Sequence, residues 1–328
     1  PGAPWEASDG TTTARFDMPW ITSEWQHGAW AWEVGAAWPR LRARYVNRYY
    51  SQITNEDFFA PDITEGGHTR RLRPRAGLSY RIGPGRALHA AYIESMHAPA
   101  SHTLAPVAVG AIAIDHQYQR LGSLARKRAV QLDWEIDART FAWGVLSSQS
   151  IANPTFADGR LLVPNLGSSV SDRAGVLAPV GASGQVVIDA YNGNPYFSQG
   201  RLHQAGAALN RVLTPHWSVL GSYTRAQSRN TGAQHAGKLL PGVPQHTGVL
   251  ANVWRHGARD LTLASLVYRG SRFADEANTQ PQGAGWSFNL VLFRESADRR
   301  WAWTGTLQTP LHGTVRPTLW TSLRYRMD

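Results

Sequence analysis

The sequence predicts an all-β chain that crosses a membrane as an antiparallel β-barrel of about sixteen strands, with about fourteen to eighteen compatible. Three observations lead there. From His68 to Ile82 the side chains alternate between two chemistries, with Leu72, Pro74, Ala76, Leu78, Tyr80 and Ile82 on one parity. Arg71, Arg73, Arg75, Gly77, Ser79 and Arg81 occupy the other. A period of two marks a strand. In a soluble sandwich those arginines would repel one another, whereas a wall between lipid and a water-filled lumen accommodates both parities. Second, the 14 tryptophans and 11 tyrosines are rings with a polar handle, the kind that forms belts at the lipid–water boundary. Third, no segment offers the about 18 continuous apolar residues of a spanning helix. The longest apolar run, Leu104 to Ile114, contains proline and glycine. Without such a helix, only a closed barrel satisfies every backbone group in hydrocarbon.

Composition narrows the class further. Cysteine is absent, which excludes disulfides and thiolate metal sites. The formal charge is +10, and of the 33 basic residues only Lys127 and Lys238 are lysine. Such a balance suits nucleic acid, but the arginines recur in strand alternation opposite apolar residues instead of clustering with exposed aromatics, so no nucleic-acid partner is expected. The 328 residues show no linker-like break. We read residues 1–13 as a flexible lead-in and 14–328 as one barrel domain. The chain begins at Pro1 with neither an initiator methionine nor a signal peptide, so it reads as a mature chain or a domain cut from a longer precursor.

In chain order, strands are expected at Ala14 to Ile21, Trp25 to Trp38 and Arg40 to Gln52, with a turn at Pro39. A polar loop, Ile53 to Gly67, precedes the alternating stretch. Gly83 to Gly85 turns the chain into Arg86 to Met96. Ala98 to Gln117 reads either as one strand near Ala105 to Ile114 or as a loop folded into the lumen. Ala125 to Ile136 and Arg139 to Ser150 form a hairpin. Ile151 to Gly184, rich in Gly, Ser, Pro and Asn, is a long loop and a candidate constriction. Strands follow at Gln185 to Tyr191, Arg201 to Leu213, His216 to Gln227, Thr247 to Trp254, Leu261 to Gly270, Gly285 to Glu295, Arg300 to Thr309 and Val315 to Arg326. Short connections alternate with long ones, as in outer-membrane barrels whose turns are periplasmic and loops external.

The lumen-facing parity carries the functional expectation. Arg42, Arg44 and Arg48 are expected on a strand beside Arg71, Arg73, Arg75 and Arg81, and closure would bring Arg316, Arg324 and Arg326 near the first strand. Asp133 and Glu135, further round, supply the opposite sign. Such a basic wall attracts anionic or polyhydroxylated solutes, because arginine forks bind carboxylates and donate to hydroxyls. The same arginines also serve as ladders bracing a solvated interior. Tyr50 and Trp320 are the lumen aromatics for stacking on sugar rings, while Trp30, Trp32, Trp301 and Trp303 face lipid. No enzyme, metal site or cofactor is expected. The 12 histidines are scattered, with no HExxH and no GxSxG, and His216 and His246 look like strand-boundary residues.

The run RLRPRAGLSYRIGPGRALHAAYIESMHAPASHTLAP, followed later by LPGVPQH and paired strands to the end, resembles the C-terminal barrel of outer-membrane proteins with N-terminal tetratricopeptide repeats. These are the export porins for cellulose and poly-N-acetylglucosamine. More loosely, it is similar to TonB-dependent receptor barrels. The resemblance implies a barrel after periplasmic repeats, a secreted polysaccharide in the lumen, and a periplasmic repeat domain or lipoprotein as partner, with lipopolysaccharide and other lipids around the wall. The repeats are not in this sequence, and its last residues are YRMD where a terminal aromatic is usual. Three functions follow: a polysaccharide export channel, an anion-preferring diffusion porin, and the barrel of a TonB-dependent receptor without its plug.

Overall fold

The computed structural model describes residues 6–51, 56–59, 63–66, 71–97, 108–114, 118–119, 122–153, 177–180, 185–188, 197–311 and 317–326. They form strands almost throughout, with one 3-10 turn at Ala233–His235. The chain opens with β1 (Glu6–Asp17), β2 (Trp20–His27), β3 (Trp30–Ala37) and β4 (Arg40–Ser51), followed by the short β5 (Glu56–Phe59) and β6 (Ile63–Gly66). β7 (Arg73–Gly83) and β8 (Arg86–Met96) make a hairpin, and the small β9 (Ala108–Val109) and β10 (Ile112–Ala113) follow. β11 (Leu124–Asp137), β12 (Thr140–Ala152), β13 (Leu177–Val180), β14 (Gln185–Ile188), β15 (Gln199–Thr214) and β16 (Trp217–Asn230) continue the chain. It ends with β17 (His246–Arg255), β18 (Asp260–Arg269), β19 (Arg272–Phe273), β20 (Pro281–Gln282), β21 (Gly285–Glu295), β22 (Trp301–Pro310) and β23 (Thr318–Tyr325).

Thirteen strands join one antiparallel sheet in the order β2-β3-β7-β8-β11-β12-β15-β16-β17-β18-β21-β22-β23. Among the described residues its edges, β2 and β23, pair only inward. The expected all-β antiparallel architecture is therefore present, with thirteen strands in the main sheet. Two-residue turns such as Pro84-Gly85 and Ala138-Arg139 connect the hairpins at one end. Long connections lie at the other end.

The first fifty residues depart from the expected strands. Residues 6–13, read as a lead-in, belong to β1, which pairs with β4 over its whole length from Glu6 opposite Ser51 to Asp17 opposite Arg40. The segment expected as one strand from Trp25 to Trp38 is split by a turn at Gly28, whose φ of +59° suits a residue without a Cβ. β1 and β2 are thus one arm of a long hairpin, and β3 and β4 the other. Pro19 and Pro39 interrupt the arms. Proline cannot donate to a ladder, and here a single bond from the Trp38 N–H to the Pro19 carbonyl (2.8 Å) bridges the break. Below it β2 and β3 belong to the main sheet; above it β1 and β4 form a separate sheet with β5 and β6.

The two faces of the main sheet differ sharply. One carries Trp30, Trp32, Leu88, Leu132, Trp134, Leu146, Leu250, Trp254, Trp301 and Leu323, all exposed. Near the short turns its rings form pairs, with Trp30 and Tyr80 at 4.3 Å and Trp301 and Tyr325 at 4.5 Å between centroids. Tyr268 and Trp286 (5.1 Å) stand nearer the long connections. Two aromatic girdles around an apolar band mark a lipid-facing wall. The other face bears Gly, Ala, Ser, Gln and Asn, and the connecting segments fold onto it. Tyr118, Phe197, Leu240 and Val243 pack there against Ile151, Leu202 and Ala226. This is the lumen face.

Candidate lumen site

Register places the lumen side chains in rows across neighbouring strands. One row runs Gly35, Arg75, Ile93, Lys127, Gln149, Leu202, and the next Glu33, Gly77, Ala91, Ala129, Ser147, Gln204. Gly77 sits in the second row because something lies on it. The β9–β10 hairpin, part of the Ala98 to Gln117 stretch, is folded onto the lumen wall, so close that a Cβ on Gly77 would stand 2.5 Å from the Gly110 nitrogen. The hairpin turns through Gly110 and Ala111, both at positive φ. Val109 and Ile112 are buried against Ala91, Ile93 and Ala129. Of the two readings for this stretch, the loop folded into the lumen is the one the structure takes.

Polar contacts fix the hairpin. The Gly110 N–H donates to Glu33 Oε2 at 2.9 Å, and Lys127 Nζ donates to the Ala113 carbonyl at 3.2 Å. Beneath it, the Ser79 hydroxyl and His89 Nδ1 share a hydrogen bond of 2.8 Å, and His89 Nε2 lies 3.3 Å from Asp133. Gln131 Nε2 donates to the same carboxylate at 2.8 Å. Serine, histidine and aspartate stand here in relay order, as in hydrolases. The Gly110 N–H is already engaged by Glu33, and the Ser79 hydroxyl also reaches the Gly110 carbonyl at 3.5 Å, so the group ties β7, β8 and β11 to the hairpin.

The predicted basic wall is only partly assembled. Arg73, Arg75 and Arg81 share one parity of β7 with Gly77, and Arg71 lies exposed just before the strand. Arg75 is 5% exposed, and its guanidinium lies 5.7 Å from the centre of the Trp20 ring. Arg73 donates to Glu94 at 3.2 Å. Three guanidinium nitrogens, Arg73 Nε and Arg75 Nε and Nη2, are buried with no hydrogen-bond partner among the described residues. Buried donors left unmet cost about 1–3 kcal/mol each, so this spot favours an anion or ordered water.

Arg42, Arg44, Arg48 and Tyr50 do not flank this site. The neighbour of β7 is β3, and β4 pairs with β1, which places Arg42 opposite Arg15, Arg44 opposite Thr13, Arg48 opposite Asp9 and Tyr50 opposite Ala7. Their side chains lie outside the described residues. The reason is Pro39, which takes the chain out of the main sheet before the arginines are reached. Asp133 and Glu135 are two strands from β7, and Asp133 meets the β7 serine through His89. Trp320 and Arg324 share the lumen parity of β23, opposite Thr306 and Ala302. The Trp320 side chain lies outside the described residues. The Arg326 N–H donates to the Arg300 carbonyl at 2.8 Å. β23 pairs with β22 alone, so Arg324 and Arg326 are not joined to the first strand; Arg316 and most of the proposed Ile151 to Gly184 constriction lie outside the described residues. Glu33, His89 and Lys127 were missed, because alternation reveals the face a residue is on but not the segment folded over it. Among the described residues no cluster could hold a metal ion.

No protein-family model matches the chain, and no curated protein does. Solved structures do match. The ferric yersiniabactin uptake receptor FyuA from Yersinia pestis aligns with a TM-score of 0.55 at 10% identity, over 93% of this chain and 42% of its own. The fold resembles that of outer-membrane β-barrels. The siderophore receptor PiuA from Acinetobacter baumannii (TM-score 0.51, 12% identity, 91% of this chain and 39% of its own) and the ferric citrate transporter FecA (0.51, 13%, 94% and 51%) agree. The chain spans about two-fifths to half the length of these receptor barrels. The looser of the two resemblances is the one that the fold supports. The repeat-bearing polysaccharide exporters have no counterpart among these structures. An antiparallel β wall of this fold, with an apolar outer band between aromatic girdles, belongs in the outer membrane.

Proposed function

We propose that the chain is wall and lumen of an outer-membrane transporter that passes a small anionic solute, in the manner of TonB-dependent receptors. The observation that carries this is the β9–β10 hairpin held in the lumen over Gly77, one row from Arg75, whose Nε and Nη2 are buried without a hydrogen-bond partner among the described residues. A folded-in segment narrows the path, and unmet arginine donors select for carboxylate, phosphate or an anionic metal chelate. A secreted polysaccharide would need a path clear of such an obstruction and a run of stacking aromatics along it, whereas the described lumen under the hairpin is lined by Ala91, Ile93, Ala129, Glu33 and Lys127. An anion-preferring diffusion porin differs only in that its lumen is already open.

Planar-bilayer recording separates these readings. The receptor-type barrel is silent or nearly so, and changing Arg73 and Arg75 to serine abolishes tracer-anion uptake into vesicles without opening it. Large, steady, anion-selective steps from the unmodified protein would identify a porin. Uptake that is indifferent to both arginines would overturn the anion reading altogether.

A further inference from the structure

Glu33 stands where two groups compete for it. By register it faces Gly77, and Gly35, the next residue on its side of β3, faces Arg75. Glu33 and Arg75 are therefore diagonal neighbours across the β3–β7 ladder, about 7–8 Å apart along the backbone, a gap that two long side chains can close. Glu33 is also the carboxylate whose charge bears on the Arg75 guanidinium. Yet none of the ion pairs among the described residues joins the two. Both Glu33 oxygens are engaged elsewhere. Thr22 Oγ1 donates to Oε1 at 3.4 Å, and the Gly110 N–H of the lumen hairpin donates to Oε2 at 2.9 Å.

The hairpin thus withholds from Arg75 the carboxylate best placed to pair with it. Arg75 Nε and Nη2, the two nitrogens without a hydrogen-bond partner, belong to one edge of the guanidinium. Their N–H groups run parallel and form the side-on fork that suits a carboxylate or a phosphate. The group is held in place from two sides. The Trp20 ring centre lies 5.7 Å away, and a Cβ on Gly35 would stand 3.0 Å from Arg75 Nε, so glycine there lets the guanidinium lie against β3. Lys127, the other cation of the Arg75 row, is on β11, three strands from Glu33 and about 14 Å away at the usual strand spacing. A freed Glu33 therefore has Arg75 as its partner.

We propose that Glu33 makes the lumen anion site conditional on the hairpin. Docked, the hairpin holds Glu33 through Gly110 and leaves the Arg75 fork to a solute carboxylate or phosphate. Lifted, it frees Glu33, which closes onto Arg75 and expels the solute. Glu33 touches no solute in the docked state, so it is a positioning residue. The two events are linked reciprocally, because the factor by which the solute loses affinity on hairpin release is the factor by which it stabilises the docked hairpin, about 5–150-fold for typical couplings. Displacing the hairpin therefore opens the path and discharges the solute in one movement. The inference rests on the anion reading of Arg75 and adds what controls it.

Inorganic phosphate is the probe, and calorimetry on the refolded full chain in detergent micelles is the first readout. The unmodified protein binds phosphate and Arg75→Ser does not. Gly77→Leu, which displaces the hairpin, binds about tenfold or more weakly. Adding Glu33→Gln to Gly77→Leu restores the affinity, because the freed side chain then carries no charge to offer Arg75. Since the chain has no cysteine, Val109→Cys supplies a single label site that is buried while the hairpin is docked. Phosphate slows its reaction with a maleimide by the factor that Gly77→Leu loses in affinity, and it leaves the rate unchanged when Glu33→Gln is also present. Three results overturn the coupling while the anion site stands: Gly77→Leu binding as tightly as the unmodified protein, a double variant as weak as Gly77→Leu, or labelling slowed equally with and without Glu33. Phosphate binding that is absent, or indifferent to Arg75→Ser, overturns the anion reading and this control with it.

Discussion

On β11 neighbouring residues live in opposite worlds. Leu132 points outward and is 39% exposed, while Gln131, one residue before it, points to the lumen and is 3% exposed. A soluble protein would reverse the two, burying the leucine and hydrating the glutamine. The difference teaches that the apolar face is completed by lipid and the polar face by other parts of the same chain, here the folded-in hairpin and the Asp133 carboxylate.

The contrast is broken most severely by a charge on the outer side. Leu132→Arg, near mid-span, should cost about 2–4 kcal/mol of folding free energy in vesicles, read as a lower guanidinium midpoint, whereas Gln131→Leu should cost under about 1.5 kcal/mol by losing one hydrogen bond. Equal effects would mean that the two faces do not differ in solvent. Next comes the lumen obstruction. A leucine at Gly77 has nowhere to go beside Gly110, so Gly77→Leu should displace the hairpin at an overpacking cost of about 1–3 kcal/mol, and conductance steps should appear in a barrel that was silent. Glu33→Gln is gentler. It exchanges a charge-assisted hydrogen bond to Gly110 for a neutral one, about 1 kcal/mol, and should give brief openings but leave the folding midpoint nearly unchanged.

The smallest effect lies in the turn between β21 and β22, outside both faces. The Ser296 hydroxyl and then the Arg300 N–H hold the Asp298 carboxyl below the usual carboxylate range. With its folded value lowered, the stabilisation is fully present above the ordinary carboxylate range and disappears as pH falls through the lowered value. Asp298→Asn should therefore flatten the acid limb of the unfolding profile slightly, with no change at neutral pH.

Strand character was legible in the sequence wherever one face meets lipid, because a period of two with an apolar parity admits few other readings. Alternation assigned Arg73, Arg75 and Arg81 to one parity of β7 this way, and the strand from Arg73 to Gly83 keeps that alternation. Partnership was not legible. Arg42, Arg44 and Arg48 show the same alternation, but alternation fixes the face and says nothing about which strand lies alongside. Pro39 was read as a tight turn, and its other consequence, a missing ladder donor where β4 leaves the main sheet, is compounded by Pro19 on the other arm, opposite the neighbouring Trp38. The Gly77 contact was likewise invisible, since its reason, Gly110, lies more than thirty residues away in a stretch with no clear period.

The count of strands in the main sheet has a directional consequence. In an all-antiparallel sheet of thirteen members, the first and last point the same way, so β2 and β23 could meet each other only as parallel neighbours. Parallel ladders have slanted, evenly spaced bonds, unlike the alternating close and wide pairs in the rest of this wall. A ring that keeps one ladder type throughout therefore needs an odd number of strands between these two edges.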